Sequence, residues 1–81
     1  MAMKIQIAGP GCSRCQATEK VVHQVCSELN LSPEIEHVYD VLKFTRLGVR
    51  LTPAVLVDGK VILSGRVPTA DELKSALAEW V

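Results

Sequence analysis

The dipeptide Asp58-Gly59 stands between two runs of strand-forming residues, Ala54-Val55-Leu56-Val57 and Lys60-Val61-Ile62-Leu63. A two-residue connection of this kind needs positive φ, which Gly and Asp accept and β-branched residues resist, so the pair predicts a tight hairpin. Two antiparallel strands follow. Their apolar faces need covering, and a chain of 81 residues has material for one core only. Residues 1–81 are therefore read as a single domain.

The rest of the chain supplies the covering layers. Met3, Ile5 and Ile7 alternate with Lys4, Gln6 and Ala8, the period of a strand with one well-buried face. Gly9-Pro10-Gly11 ends that strand, and a helix is expected to begin near Cys12. Its Val22, Val25, Cys26 and Leu29 fall on one helical stripe, and Asn30 with Ser32-Pro33 closes it. Glu34 to Tyr39 reads as a second strand. Asp40 is placed to cap a brief helix through Leu42, Phe44 and Leu47, with Gly48 at its C-terminal cap. Thr69-Ala70-Asp71-Glu72 is a capping box, and Leu73, Ala76, Leu77 and Trp80 continue it as the packing face of a last helix. Lys74 and Glu79 read as solvated charge. The order is β-α-β-α-β-β-α, an α/β chain with three helices.

Composition excludes several functions. Hydrophobic residues make up 48% and charged ones 22%, enough apolar surface to order the chain without staples. Nine basic residues balance nine acidic ones, with one Trp, one Tyr and one Phe, so neither a positive field nor stacking platforms for nucleic acid are present. No nucleic-acid partner is expected. A basic leader followed by a long apolar stretch is lacking at the N-terminus, and no segment has the length of a membrane span, so a soluble cytoplasmic protein with no membrane partner is expected.

Three cysteines are too few for a secreted disulfide scaffold, and a C-x-x-C in a reducing compartment points to redox or metal chemistry. Cys12 and Cys15 stand one helical turn apart at a helix start, close enough for their sulfurs to join reversibly. At that place unpaired backbone N–H groups and the positive end of the helix dipole favour a thiolate on Cys12, holding its pKa below the free value of about 8.5. The charge of Arg14 adds less, because an exposed side chain acts through high dielectric. Cys12 is thus expected to attack an incoming disulfide and Cys15, shielded one turn inside the helix, to resolve the mixed disulfide that results. Cys26 lies eleven residues beyond Cys15, about 16 Å along an intact helix at about 1.5 Å per residue, and reads as a core residue. His23 and His37 have no metal-ligand spacing and read as ordinary histidines. The glycines read as backbone devices, since no nucleotide-binding spacing is present. No cofactor and no resident metal are expected.

Ile5-Gln6-Ile7-Ala8-Gly9-Pro10-Gly11-Cys12-Ser13-Arg14-Cys15-Gln16, then Thr52-Pro53-Ala54-Val55-Leu56-Val57-Asp58-Gly59-Lys60-Val61, then Gly65, resemble the thioredoxin and glutaredoxin superfamily, and in particular its compact prokaryotic redox-active disulfide proteins. The resemblance covers essentially the whole chain. It implies a thioredoxin-like fold and thiol–disulfide oxidoreductase activity on disulfide-containing protein substrates, with a reductase as electron donor and a monomeric carrier. Carried to matching positions, it implies Cys12 as nucleophile, Cys15 as resolver and Pro53 as a cis-proline facing the disulfide. Gly11, Ser13, Arg14, Thr52 and Pro53 would then border the substrate, with the Thr52 backbone free to pair with an extended segment. With the right-handed β-α-β crossover and the hairpin, it also implies a four-stranded mixed sheet in the order 2-1-3-4, the first and last helices on one face and the middle helix on the other. The chain departs from larger thioredoxins in having Gly11 where they place Trp, and Ser13-Arg14 where they place Gly-Pro. The glutathione-gripping surface of glutaredoxins is matched loosely, by Ser64-Gly65 and Asp71.

Two other functions use the same pair of cysteines. A small copper or zinc carrier also holds C-x-x-C between a first strand and first helix, but such domains run β-α-β-β-α-β and end on a strand, and usually carry Met where this chain has Pro10. A regulatory module would use the pair as a switch that exchanges once without turnover.

Overall fold

In the computed structural model, which describes residues 3–9 and 13–80, Ile5 and Ile7 are wholly buried while Lys4 and Gln6, which alternate with them, are not. That alternation forms β1 (Lys4–Ala8), followed by α1 (Ser13–Glu28), β2 (Glu34–Val38), α2 (Val41–Leu47), β3 (Ala54–Val57), β4 (Lys60–Ser64) and α3 (Ala70–Leu77). A 3-10 turn, Ala78–Trp80, follows α3. The side chain of Trp80, expected on the packing face of the last helix, lies outside the described residues. The strands form one mixed sheet in the order β2-β1-β3-β4. β1 runs parallel to β2 and antiparallel to β3, and β3 is antiparallel to β4.

Because side chains alternate along each strand, the sheet has two cores. On one face Ile5, Ile7, Val55 and Val57 meet Val22, Val25 and Cys26 of α1 and Leu73 and Leu77 of α3. On the other, Ala8, Ala54, Leu56 and Val38 meet Phe44 of α2 and Val49. The first and last helices therefore share a face and the middle helix takes the other. β3 is buried on both faces, and its residues form an unbroken Ala-Val-Leu-Val run. Each fully buried Val, Leu or Ile contributes roughly 1.5–3 kcal/mol of transfer free energy.

Local signals set the boundaries. The Asp40 carboxylate accepts from Leu42 N at 2.9 Å, and Gly48 closes α2 in the left-handed region at φ 81°. At α3, Thr69 Oγ1 accepts from Glu72 N while the Glu72 side chain takes the Thr69 N–H. Arg66 grips the same carboxylate with both guanidinium nitrogens. Asp58 and Gly59 have φ of 49° and 87°, the pair of positive values a two-residue hairpin requires.

Several side chains depart from their expected places. Leu29 is partly exposed although it continues the α1 stripe, because the helix stops at Glu28 and Asn30 turns the chain at φ 56°. Thr18 takes a buried place on that stripe instead. Leu42 is 78% exposed, so α2 reaches the sheet through Phe44. β2 ends at Val38, one residue before Tyr39, which is itself exposed. Lys74 is not merely solvated: its Nζ lies 3.0 Å from Glu28 Oε2 and links α3 to the end of α1. β4 carries a bulge, since Leu63 pairs with Val55 but Val61 pairs with Leu56, leaving Ile62 as an extra residue. The bulge turns Ile62 and Leu63 to the same core, with Val61 on the other face.

Candidate functional site

The expected reacting centre lies where β1 hands over to α1. Cys15 sits in the first turn of α1, fully buried, and the same helix face continues through buried Thr18 and Val22. Thr18 satisfies its hydroxyl locally by donating to Arg14 C=O at 2.9 Å. That bond lets a polar side chain occupy the interface beneath Cys15. Ser13 and Arg14 begin the helix with exposed side chains. Gly11 and Cys12 lie outside the described residues.

Beneath Cys15 the end of β1 comes unusually near. A Cβ placed on Gly9 would overlap Cys15 Sγ and stand 3.1 Å from Cys15 Cβ. Gly9 cannot easily retreat, because its N–H donates to Val38 C=O at 3.0 Å and extends the β1–β2 pairing. The sulfur of Cys15 is thus seated against bare main chain.

The sheet register brings Thr52 and Pro53 to the same end of the molecule. Ala8 pairs with Ala54, so the residue before Ala54 falls beside the one after Ala8. The Thr52–Pro53 peptide bond is cis, Pro53 is buried and Thr52 half-buried. The Pro53 carbonyl accepts from Gly65 N at 3.0 Å, whereas Thr52 takes part in no hydrogen bond among the described residues. Gly65, at φ 88°, makes that closing turn in a conformation that favours glycine.

Of the other titratable candidates, His37 lies opposite Ile7, one residue short of the end of β1, while Cys26 and His23 lie farther along α1. Cys26 is buried in the α1–α3 core, and burial pushes its thiol pKa up, which keeps it protonated and unreactive. His23 and His37 are less independent than their sequence positions suggest. Glu19 faces both, with Oε1 3.8 Å from His23 Nε2 and Oε2 3.3 Å from His37 Nδ1. An ionised carboxylate can only accept, so the His37 proton facing it belongs on Nδ1. His37 Nε2 is then a buried atom with no hydrogen-bond partner among the described residues, and the ring stacks on Tyr39 at 4.0 Å. Among the described residues no group of three or more His, Cys, Asp and Glu side chains is placed to hold a metal ion. No helix among them is long and apolar enough to cross a membrane.

Sequence reasoning missed Gly9 and Thr18 as neighbours of Cys15. Thr18 stands three residues after Cys15 and seven before Val25, so the helical stripe could have included it. Gly9 carried no such signal beyond being a glycine.

Comparison with known proteins agrees with this architecture. The profile of the thioredoxin domain family matches residues 3–78. A thioredoxin of Methanothermobacter thermautotrophicus is 36% identical over 76 residues, covering 94% of this chain and 99% of that protein. A thioredoxin of Methanocaldococcus jannaschii is 32% identical over 77 residues, covering 95% of this chain and 88% of its own length. With the strand order, the helix placement and these matches together, the chain belongs to the thioredoxin domain family, and its function is of the thiol–disulfide oxidoreductase type.

Proposed function

We propose that the protein exchanges electrons with disulfide-bearing protein substrates through Cys12 and Cys15, Cys12 attacking and Cys15 resolving. The observation that carries this reading is the seat of Cys15: it is fully buried in the first turn of α1, and Cys12 stands three residues before it in the sequence. A buried thiol cannot meet a bulky substrate first, but it can reach a neighbour one turn away. The Cys12 thiolate displaces one substrate thiolate and forms a mixed disulfide. The Cys15 thiolate then attacks the Cys12 sulfur, closing the Cys12–Cys15 disulfide and releasing the second substrate thiolate. Two electrons pass to the substrate, and a reductase returns them. The main chain of Thr52, which has no hydrogen-bond partner among the described residues, offers a substrate strand its hydrogen bonds, with Gly11, Ser13, Arg14 and Pro53 bordering it. In this reading the protein works as a monomeric electron carrier in the cytoplasm.

Intact mass spectrometry of two variants treated with a disulfide substrate tests the assignment. Cys15→Ser should accumulate a stable mixed disulfide on Cys12, and Cys12→Ser should form none on Cys15. The reverse pattern would exchange the two roles. Stoichiometric zinc or copper held by both thiols, with no exchange under any reductant, would move the function to metal carriage.

A further inference from the structure

We propose that Gly9 is a positioning residue for the resolving step: its missing side chain creates the seat that holds the Cys15 sulfur at its attack position. The proposal rests on the exchange reading above. It starts from the close approach itself, since a Cβ on Gly9 would overlap Cys15 Sγ. The usual reason for glycine does not apply at this position. Gly48, Gly59 and Gly65 occupy positive φ, and Gly9 does not, so its backbone conformation is open to any residue. What excludes a side chain from position 9 is the sulfur.

Neither partner has slack to relieve the overlap. The Gly9 N–H is held by Val38 C=O at 3.0 Å, directly after the β1–β2 ladder. Cys15 is held by α1, whose Thr18 and Val22 are buried on the sheet. A methyl group at position 9 would therefore be relieved by turning the sulfur to another rotamer or lifting the first turn of α1. Either response changes where the Cys15 thiolate stands when it must attack the Cys12 sulfur in line with the departing substrate thiolate. The first attack, by the Cys12 thiolate, is complete before the Cys15 sulfur is needed. Displacements on the order of 1 Å cost a positioned reaction as much as about a hundredfold.

The test is a stopped-flow reaction of reduced Gly9→Ala with less than one equivalent of dithiobis(nitrobenzoic acid). Attack by Cys12 releases a first coloured thiolate, and resolution by Cys15 releases the second. We expect the first release to stay within about twofold of the parent protein and the second to slow by roughly tenfold to a hundredfold. Intact mass should then show the thionitrobenzoate mixed disulfide lingering on Cys12. A folded Gly9→Ala protein that releases both thiolates at parental rates overturns the proposal.

Thermal unfolding of the double variant Gly9→Ala/Cys15→Ala covers the case in which the single variant folds poorly. Removing the sulfur leaves only the 3.1 Å Cβ approach, so Gly9→Ala should lower the midpoint much less in a Cys15→Ala background than in the parent. A Gly9→Ala loss as large in the Cys15→Ala background as in the parent would show that the glycine serves the sheet and not the sulfur, and would also overturn the proposal. Failure of the exchange reading looks different: the parent protein would release no thiolate, while the stability comparison would still report the contact.

Discussion

Phe44→Ala offers a sharp test of how α2 is attached. Phe44 is the buried residue of that helix, 8% exposed, and packs with Ala8, Val38, Val49, Ala54 and Leu56. Truncation removes a ring with about 150 Å² of apolar surface, which at about 25 cal/mol/Å² amounts to nearly 4 kcal/mol. Phe→Ala substitutions in cores cost about 3–5 kcal/mol, the lower end applying where the surroundings can close the gap. Here they can. A solvent-open cavity of ≈ 260 Å³ lies along α2, lined by Gln6, Glu36, Val38, Lys43, Arg46 and Leu47. The helix has room to settle inward, so a loss of about 3 kcal/mol is expected. A domain of this size has a total stability of about 4–12 kcal/mol, so the loss is a large share of it. Urea unfolding followed by circular dichroism should show the midpoint falling by about 2–3 M at an m-value of about 1–1.5 kcal/mol/M. A loss below about 1 kcal/mol with unchanged m would refute the packing argument, because it would mean that the second core does not depend on the one ring that α2 commits to it.

Two further outcomes follow from charge and burial. Glu72, held by the Arg66 guanidinium and the Thr69 main chain, has its carboxyl pKa lowered from 4.5 to about 2. Its folded value is depressed, so its contribution is complete above 4.5 and is lost as pH falls from there through about 2. The thermal midpoint of Arg66→Ala should thus show a weaker acid dependence in that window than the parent, and identical profiles would contradict the role given to Arg66. Cys26, buried with a raised pKa, should resist iodoacetamide in the folded protein and react fully in denaturant. Native-state alkylation of Cys26 at the rate of a free thiol, read by peptide mass mapping, would show that the α1–α3 core opens readily.

Which features were legible in the sequence depended on how far apart in the chain their causes lie. The Asp58-Gly59 hairpin, the Asp40 and Gly48 caps and the Thr69–Glu72 box are each decided within about four residues, by hydrogen bonds that form as soon as the element does. The strand order was reached from the family resemblance together with the handedness of the crossover and the hairpin, since those two alone do not place β3 beside β1. The bulge at Ile62 was hidden because no glycine or polar residue marks it; it results from the demand that Ile62 and Leu63 both reach one core. Leu42 sits at helical spacing but outside the short contact that a seven-residue helix makes through Phe44. The linkage of His23 and His37 through Glu19 joins α1 to β2, and the linkage of Lys74 to Glu28 joins α3 to α1, so neither has a local pattern. In the candidate site, the Cys12 and Cys15 spacing was plain from the sequence. The fit of Gly9 under Cys15 was not, since it is a property of the gap between a strand end and a helix start.

The bulge in β4 also bears on how the molecule behaves in a crowded solution. With nine positive and nine negative side chains the formal charge is zero, and the sequence pI of ≈ 6.7 lies close to neutral, so little long-range repulsion separates one copy from another. Resistance to strand-on-strand accretion then falls to the two outer strands. β2 presents exposed Glu34 and Glu36, carboxylates that a like strand laid alongside would bring close to its own. β4 presents the kink at Ile62, where the regular spacing of main-chain donors and acceptors is broken and an incoming extended segment loses its ladder partway along. Straightening that strand by deleting Ile62 would restore an even template, turning an edge that ends the sheet into one that invites its growth.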